Sequence, residues 1–242
     1  MNITKYLFMV FLTLLLTGNA ALAEKYREID APGVKKLLDA GNALVINPLT
    51  PIEFDHEHIP GSVNIPIEFL AGKLPADRKI PIVFYCIGEK CVYSWRAAEI
   101  AADLGYTNVY AFRGGIPEWK AAGYPTISIL KLPEVVVPAV GPEKLAEMLE
   151  KEDMVLVDIN SEADAGRFWI DTPKRVYISL NDLRENYTHL PKDKKIVIVD
   201  LRGQRGPTAV RFLMIKGHKN VLYLEGGLER WVFEGHPIKR AH

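Results

Sequence analysis

Short, continuous runs of apolar residues alternate along this chain with segments whose apolar residues recur every three or four positions. Such runs are typical of strands buried on both faces, and the periodic segments are typical of amphipathic helices. Strands are predicted at 44–47, 63–65, 82–85, 109–111, 155–159, 176–178, 196–199 and 221–224, and helices at 34–40, 94–104, 142–151 and 207–216. A further helical turn is predicted around Trp119 and around Trp231. Strands that alternate with helices predict an α/β fold with parallel sheets.

The order of these elements occurs twice, because the two halves of the chain form an internal repeat. Residues 105–109 (GYTNV) match residues 217–221 (GHKNV), and the turn Arg113-Gly114-Gly115 matches Glu225-Gly226-Gly227 at the same spacing. A tryptophan follows this turn in both copies, so we predict that it packs in the core. The repeat therefore predicts two domains, each a parallel sheet with helices on both faces.

The predicted domains are residues 24–125 and 142–242. Residues 126–141 between them contain two prolines and lack helical periodicity, which is typical of an extended linker. Residues 1–23 predict a secretory signal peptide, because the apolar run is too short to span a bilayer and the segment ends in Ala21-Leu22-Ala23. We therefore expect a periplasmic or secreted protein that is not held at a membrane after cleavage.

The composition argues against some partners. The chain has 30 basic and 30 acidic residues, and this balance indicates neither nucleic acid nor an acidic membrane surface. It has two cysteines, Cys86 and Cys91, which are too close in sequence to staple much of an exported fold. We interpret them as residues with a chemical role.

Cys86 directly follows the predicted strand 82–85 and opens a loop that leads into the helix 94–104. Backbone N–H groups at a helix N-terminus lower the pKa of a thiol and stabilise a sulfur anion. We therefore predict that Cys86 is a nucleophile, with a buried, inert thiol as the alternative. In the second copy Asp200 stands at the position of Cys86, and the first copy has two more residues between this position and the glycine that follows the helix.

Several motifs together resemble one family. They are residues 58–66 (HIPGSVNIP), a strand that ends in Cys86, Gly114-Gly115 followed by a tryptophan, and residues 200–206 (DLRGQRG), which match the loop Cys-x-x-Gly-x-Arg-Ser with Asp for Cys and Gly for Ser. In these motifs the chain resembles the rhodanese family over nearly all of its length after residue 23. It is similar to tandem-domain sulfurtransferases, here with the cysteine in the N-terminal copy.

This resemblance implies an exported sulfurtransferase, in which Cys86 takes up a sulfur atom as a persulfide and passes it on. The substrate-binding or loop residues would be Ile87, Gly88, Glu89, Lys90, Cys91, Ser94, Arg96 and Arg113. The second domain would hold a degenerate site, made of Asp200, Arg202 and Arg205. The expected partners are a small sulfur-containing anion such as thiosulfate and an acceptor that is a thiol, cyanide or a protein. No cofactor is expected, and the oligomeric state stays open.

Other interpretations start from departures from the family pattern. Asn47-Pro48-Leu49 and Asp158-Ile159-Asn160 replace the usual Asp-x-Arg, which predicts that both domains lack a buried arginine. Cys91 can be a resolving thiol, a hydrophobic spacer or half of a permanent disulfide. His56 and His58 lie two positions apart, but His58 belongs to the His-Ile-Pro-Gly turn, so no metal site is predicted.

The alternative functions are a thiol-disulfide redox protein that uses Cys86 and Cys91, and a non-catalytic binding module. A phosphatase of the same fold needs a Cys-x5-Arg motif to wrap a phosphate, and Val92 stands at the arginine position here. The phosphatase interpretation is therefore disfavoured. We also expect the second domain to cover the face of the first that carries the loop of Cys86.

Overall fold

The computed structural model describes residues 25–241. The predicted signal peptide, residues 1–23, lies outside the described residues. Within the described part of the chain, no helix is long and apolar enough to cross a membrane.

The first domain is a five-stranded parallel sheet with helices on both faces. Its strands are β1 (Arg27–Glu28), β2 (Leu44–Asn47), β3 (Val63–Asn64), β4 (Ile82–Tyr85) and β5 (Val109–Phe112). Its helices are α1 (Ala31–Asp39), α2 (Pro51–His56), α3 (Leu70–Lys73), α4 (Tyr93–Asp103) and α5 (Gly115–Ala121), with a 3-10 turn at Ile67–Phe69. The strand order is β1-β5-β4-β2-β3, which places β4 at the centre.

Alternate side chains of β4 explain why both faces of the sheet are covered. Phe84 packs in one hydrophobic cluster with Ala97 of α4, and Tyr85 packs in another with Trp119 of α5. All four residues of this strand are fully buried. A strand buried on both faces is continuously apolar, which is the pattern that predicted it.

The second domain repeats this architecture. Its main sheet is formed by β6 (Ala139–Val140), β7 (Met154–Asp158), β9 (Arg175–Tyr177), β10 (Lys195–Val199) and β11 (Val221–Leu224), while β8 (Phe168–Trp169) and β12 (Lys239–Arg240) form an antiparallel pair. Its helices are α6 (Pro142–Lys151), α7 (Glu162–Ala165), α8 (Leu183–Asn186), α9 (Gly206–Ile215) and α10 (Gly227–Phe233), with a 3-10 turn at Tyr187–His189. The parallel strand order β6-β11-β10-β7-β9 is the counterpart of the first sheet.

The predicted α/β class and the duplication are confirmed. Several short elements were not predicted, because they are too short to show a periodic pattern of apolar residues. These are β1, β6, β8, β12, α2, α3, α7 and α8. Strand β6 lies inside the stretch predicted to be a linker, because residues 139 and 140 pair with β11. The domain boundaries stay a prediction.

The two domains contact each other through polar and apolar groups. The Asn181 amide donates to the Glu68 carboxylate over 2.9 Å, and Arg184 donates to Asp55 over 2.7 Å. Glu68 and Asn181 occupy matching places in the two copies. Ile52 of α2 is part of a hydrophobic cluster of the second domain. Residues of the first domain therefore help to complete the core of the second.

Candidate functional site

Cys86 lies at the C-terminal end of the central strand β4 and is completely buried. Its carbonyl oxygen accepts a hydrogen bond from the N–H of Ile116 over 3.1 Å. Gly115, which has φ +55°, makes this close approach possible, because a Cβ atom there would lie 2.1 Å from the Cys86 oxygen. The Gly-Gly turn thus fixes the backbone of the cysteine.

The structure joins Cys86 and Cys91 in a disulfide, with 6.2 Å between their Cα atoms. The N–H of Cys91 donates to the carbonyl of Gly88 over 3.0 Å and closes a tight turn. Gly88 has φ +141°, a conformation that residues with a side chain rarely adopt. The turn brings Cys91 back to Cys86, and no free thiol is present in this state.

Ile87 projects from the loop into a groove between the domains. This residue is 58% exposed, and it lines an open groove of about 850 Å³ together with Pro117 of α5. Thr208 and Arg211 of α9 in the second domain line the same groove. The loop of Cys86 therefore borders the domain boundary, in agreement with the expected position of the second domain.

The three predicted cations of the first domain lie on the surface. Lys90 is exposed, and the Arg96 guanidinium is 5.7 Å from the centre of the Trp95 ring. Arg113 forms an ion pair with Glu28 over 3.0 Å, and this hydrogen bond raises the pKa of Arg113. The positive charge of Arg113 is therefore partly neutralised by its own partner.

Glu89 and Ser94 complete the predicted set. Glu89 is exposed and lines a shallow groove beside Arg113 and Glu118, which makes this side of the loop acidic. Ser94 is fully buried in the first turn of α4, and its hydroxyl has no hydrogen-bond partner among residues 25–241. Its burial keeps this hydroxyl away from solvent in the disulfide state.

The equivalent loop of the second domain holds an anion of its own. Asp200 is only 4% exposed, and its two carboxylate oxygens accept hydrogen bonds from the N–H groups of Gly203 over 2.6 Å and Arg205 over 2.7 Å. Burial raises the pKa of Asp200, although these hydrogen bonds oppose the shift. The backbone amides of this loop therefore surround a carboxylate that the chain itself supplies.

The backbone contacts that hold Asp200 in place are the same as those that hold Cys86. The Asp200 carbonyl accepts from the N–H of Leu228 over 2.9 Å, and a Cβ atom on Gly227 would lie 2.4 Å from that oxygen. Helix α4 has 11 residues and α9 has 10. One of the two extra residues of the first copy thus lengthens the helix, and only the other lengthens the loop.

Arg202 of the second loop forms an ion pair, and the charge of Arg205 acts on a carboxylate of the first domain. Arg202 forms an exposed ion pair with Glu229 over 2.9 Å, and this hydrogen bond raises the pKa of Arg202. Burial raises the pKa of Glu68 in the first domain, and the charge of Arg205 acts against this shift. The second loop therefore also faces the boundary between the domains.

In the second domain Asp158 nevertheless pairs with an arginine, Arg175, which is partly buried and lies outside the Asp-x-Arg position. Arg175 of β9 donates to the Asp158 carboxylate from Nε over 3.0 Å and from a terminal nitrogen over 2.8 Å. The sequence pattern missed this arginine because it lies on the neighbouring strand, rather than two positions after Asp158 in the sequence. In the first domain, Asn47 has no such partner, and its Nδ2 is buried without a hydrogen bond to residues 25–241.

The histidines take part in local structure. Nδ1 of His58 lies 2.8 Å from the Phe54 carbonyl oxygen, and Nδ1 of His56 accepts from the N–H of Leu132 over 3.3 Å. Within the described part of the chain, no three His, Cys, Asp or Glu side chains form a group that could hold a metal ion.

The chain thus consists of two similar α/β domains in tandem. A cysteine follows the central strand of the first domain and an aspartate follows that of the second, so only the first domain has a thiol at this position. The family model of the rhodanese-like domain matches residues 30–122 and again residues 141–234. These matches cover more than half of the chain, so the chain belongs to the rhodanese-like domain family, as the sequence motifs predicted.

Several curated relatives and solved structures are similar to parts of this chain. A sulfurtransferase of Allochromatium vinosum is 32% identical over 104 residues, which are 43% of this chain and 95% of that protein. An HTH-type transcriptional regulator of Mycobacterium tuberculosis is 39% identical over 90 residues, which are 36% of this chain and 38% of that protein. The thiosulfate sulfurtransferase structure from Pseudomonas aeruginosa is 18% identical with a TM-score of 0.42, over 89% of this chain and 44% of that one. The matched part is thus less than half the length of the last two proteins.

Proposed function

We propose that this protein is a sulfurtransferase that carries sulfane sulfur as a persulfide on Cys86. The observation that carries the proposal is the place of Cys86 at the end of the central strand, on a loop that leads directly into α4. The relative from Allochromatium vinosum that is named a sulfurtransferase supports it. The second domain has no thiol, so it does not carry sulfur itself.

The reaction begins once the Cys86–Cys91 disulfide is reduced. The Cys86 thiolate attacks the outer sulfur of a donor such as thiosulfate, the bond between the two donor sulfurs breaks, and sulfite leaves with its electron pair. Cyanide or a thiol then attacks the outer sulfur of the persulfide, and Cys86 leaves as a thiolate. The amides at the start of α4 favour the anionic forms of sulfur in both steps.

The surroundings of the loop bear on the choice of substrates. Arg113 is paired with Glu28, and Glu89 lies beside it, so the charge available to a small anion on this side is modest. Exposed Ile87 borders the interdomain groove on the other side. We propose a small sulfur-containing anion as donor and a thiol, cyanide or protein as acceptor, with the groove as the route by which the acceptor approaches.

The direct test is the Cys86→Ser variant in a thiosulfate-to-cyanide assay with a thiol reductant present. We expect turnover to fall at least about a thousandfold, because the hydroxyl is a far weaker nucleophile and cannot form the persulfide. Met214→Ser, on the exposed surface of α9, is the matched control and keeps its turnover. Turnover that survives in Cys86→Ser would refute the proposal.

A thiol-disulfide redox function is the second candidate, and the Cys86–Cys91 disulfide is the observation that favours it. In this function the pair would exchange electrons with disulfides of other proteins. Reduction of insulin by the protein and a dithiol separates the two functions. Insulin reduction at a rate above that of the dithiol alone, without sulfur transfer to cyanide, would favour the redox function.

We also propose that the protein is exported to the periplasm or secreted. The Ala-Leu-Ala site at residues 21–23 and the disulfide, which persists mainly in oxidising compartments, support this location. Cell fractionation followed by sequencing of the mature N-terminus tests it, and we expect a chain that starts at Glu24. An uncleaved chain in the cytoplasm would contradict the proposal.

A further inference from the structure

Cys91 has no role in the transfer reaction described above, yet the loop brings it to the nucleophile. Its Sγ is bonded to the Sγ of Cys86, and the turn that permits this contact is closed by the hydrogen bond from the Cys91 N–H to Gly88. The positive φ of Gly88 gives this turn a shape that a residue with a side chain adopts only with strain. The loop is therefore built so that the two sulfurs can meet.

Burial gives Cys91 an advantage over acceptors in solution. Cys86 is completely buried, so an external acceptor must enter the site before it can reach the sulfur. Cys91 is only partly buried and already belongs to the same loop. A group on a short tether acts at an effective concentration of about a millimolar or above. Cys91 thus competes with any thiol acceptor that is present at lower concentration.

We propose that Cys91 resolves the persulfide on Cys86 and that the protein thereby releases hydrogen sulfide. This inference rests on the proposed function, because the reaction starts from the persulfide. It adds an activity to sulfur transfer, namely the reduction of sulfane sulfur to sulfide at the expense of the two cysteine thiols.

The step balances as an intramolecular thiol-disulfide exchange. The Cys91 sulfur attacks the Sγ of Cys86, and the bond between this Sγ and the outer sulfur breaks. The outer sulfur leaves as hydrosulfide with the electron pair of that bond and with the proton of the Cys91 thiol. The outer sulfur is reduced and the Cys91 sulfur is oxidised, so the products are one hydrosulfide ion and the Cys86–Cys91 disulfide.

The disulfide in the structure is the product that this step requires. Attack of Cys91 on the outer sulfur would instead move the persulfide to Cys91 and would leave no bond between the two cysteines. A second turnover needs an external dithiol, which reduces the disulfide by two exchange steps.

The test is a single turnover under anaerobic conditions. The full-length mature protein is reduced, freed of reductant and mixed with one equivalent of thiosulfate, and a parallel sample receives glutathione persulfide. Sulfide is measured by a colorimetric assay, and intact mass and peptide mapping locate the added sulfur and the disulfide. Cys91→Ser is the test variant. Val92→Ser is the matched control, since Val92 is an exposed neighbour without a thiol.

We expect the wild-type protein and Val92→Ser to release about one equivalent of sulfide and to form the Cys86–Cys91 disulfide. Cys91→Ser should release at least about tenfold less sulfide and retain the mass of one added sulfur on Cys86. A wild-type protein that keeps its persulfide on Cys86, or that carries it on Cys91, would overturn this inference and leave the proposed function intact. If Cys91→Ser gains no sulfur from either donor, the proposed function fails and this inference falls with it.

Discussion

In the first domain the residue after the central strand is a cysteine bonded to Cys91, whereas in the second it is an aspartate held by two backbone N–H groups. Both residues are almost completely buried, and both accept a hydrogen bond from the helix that follows the Gly-Gly turn. The scaffold is shared, and the side chain that it holds differs. We infer that the loop after the central strand directs its backbone N–H groups at a negatively charged side chain. In the second domain this side chain is the Asp200 carboxylate.

The comparison is tested most strongly by returning a thiol to the second domain. In a Cys86→Ser, Cys91→Ser background, we expect Asp200→Cys to take up about one sulfur atom from thiosulfate, where the background takes up none. The N–H groups that lie 2.6 and 2.7 Å from the Asp200 oxygens would then stabilise the sulfur anion. Intact-mass analysis measures the added sulfur.

The matched control for this gain of function is Leu201→Cys in the same background. Its thiol would lie in the same loop, but it would not replace the side chain that the two N–H groups hold. We expect no persulfide on it. Equal uptake by both variants would show that any accessible thiol in the loop reacts, and no uptake by Asp200→Cys would show that the shared scaffold is not sufficient.

The next largest effect concerns the Gly-Gly turns. Alanine at Gly115 or Gly227 adds a Cβ atom 2.1 or 2.4 Å from a backbone oxygen, at a φ of +55° or +61°. Gly123→Ala is the control, since it has φ +81° and nothing within 4 Å of the added atom. We expect about 1 kcal/mol of destabilisation from the control and about 2 kcal/mol more from each of the other two.

Urea unfolding measures these free energies, and sulfur transfer separates the two turns. Gly115→Ala should also lower kcat/KM about tenfold or more, because the clash displaces the backbone of Cys86, the proposed nucleophile. Gly227→Ala should lower stability alone. An equal loss of transfer in both variants would contradict the assignment of chemistry to the first domain only.

Much of this scaffold was predictable because its signals are local. The continuous apolar run 82–85 and the repeat of the Gly-Gly turns established both the fold class and the place of Cys86. Helix α2 was missed although it has a local signal: Thr50 and Glu53 form a capping box, and Pro51 begins the helix. Its six residues are too few for a clear periodicity.

The parts that escaped prediction depend on contacts between distant residues or on backbone direction. Arg175 reaches Asp158 only because β9 is the neighbour of β7. The hydrogen bonds to the Asp200 carboxylate depend on the orientation of the N–H groups of residues 203 and 205. No periodicity or composition records this direction, so the sequence predicted a degenerate site at Asp200 without predicting its backbone partners.

The smallest expected effect is on the pH dependence of stability. Asp200→Ala leaves the N–H groups of Gly203 and Arg205 without their acceptor, and we expect a loss of about 1 kcal/mol at neutral pH. Because burial raises the pKa of Asp200, the folded protein binds a proton more tightly than the unfolded chain, whose pKa is near 3.8. The stability contribution of the carboxyl group is therefore largest in acid and falls as the pH rises from 3.8 through the folded-state pKa.

The free-energy difference between the wild type and Asp200→Ala should accordingly widen as the pH is lowered from about 7 toward 4. Urea unfolding of both proteins across this range measures it, and Met214→Ser serves as a surface control whose difference from the wild type stays constant. A difference that narrows in acid would mean that the two N–H groups outweigh burial and lower the pKa of Asp200. That result would mean that the second loop stabilises a negative charge at residue 200 despite its burial. It would strengthen the expectation that a thiol placed there accepts sulfur.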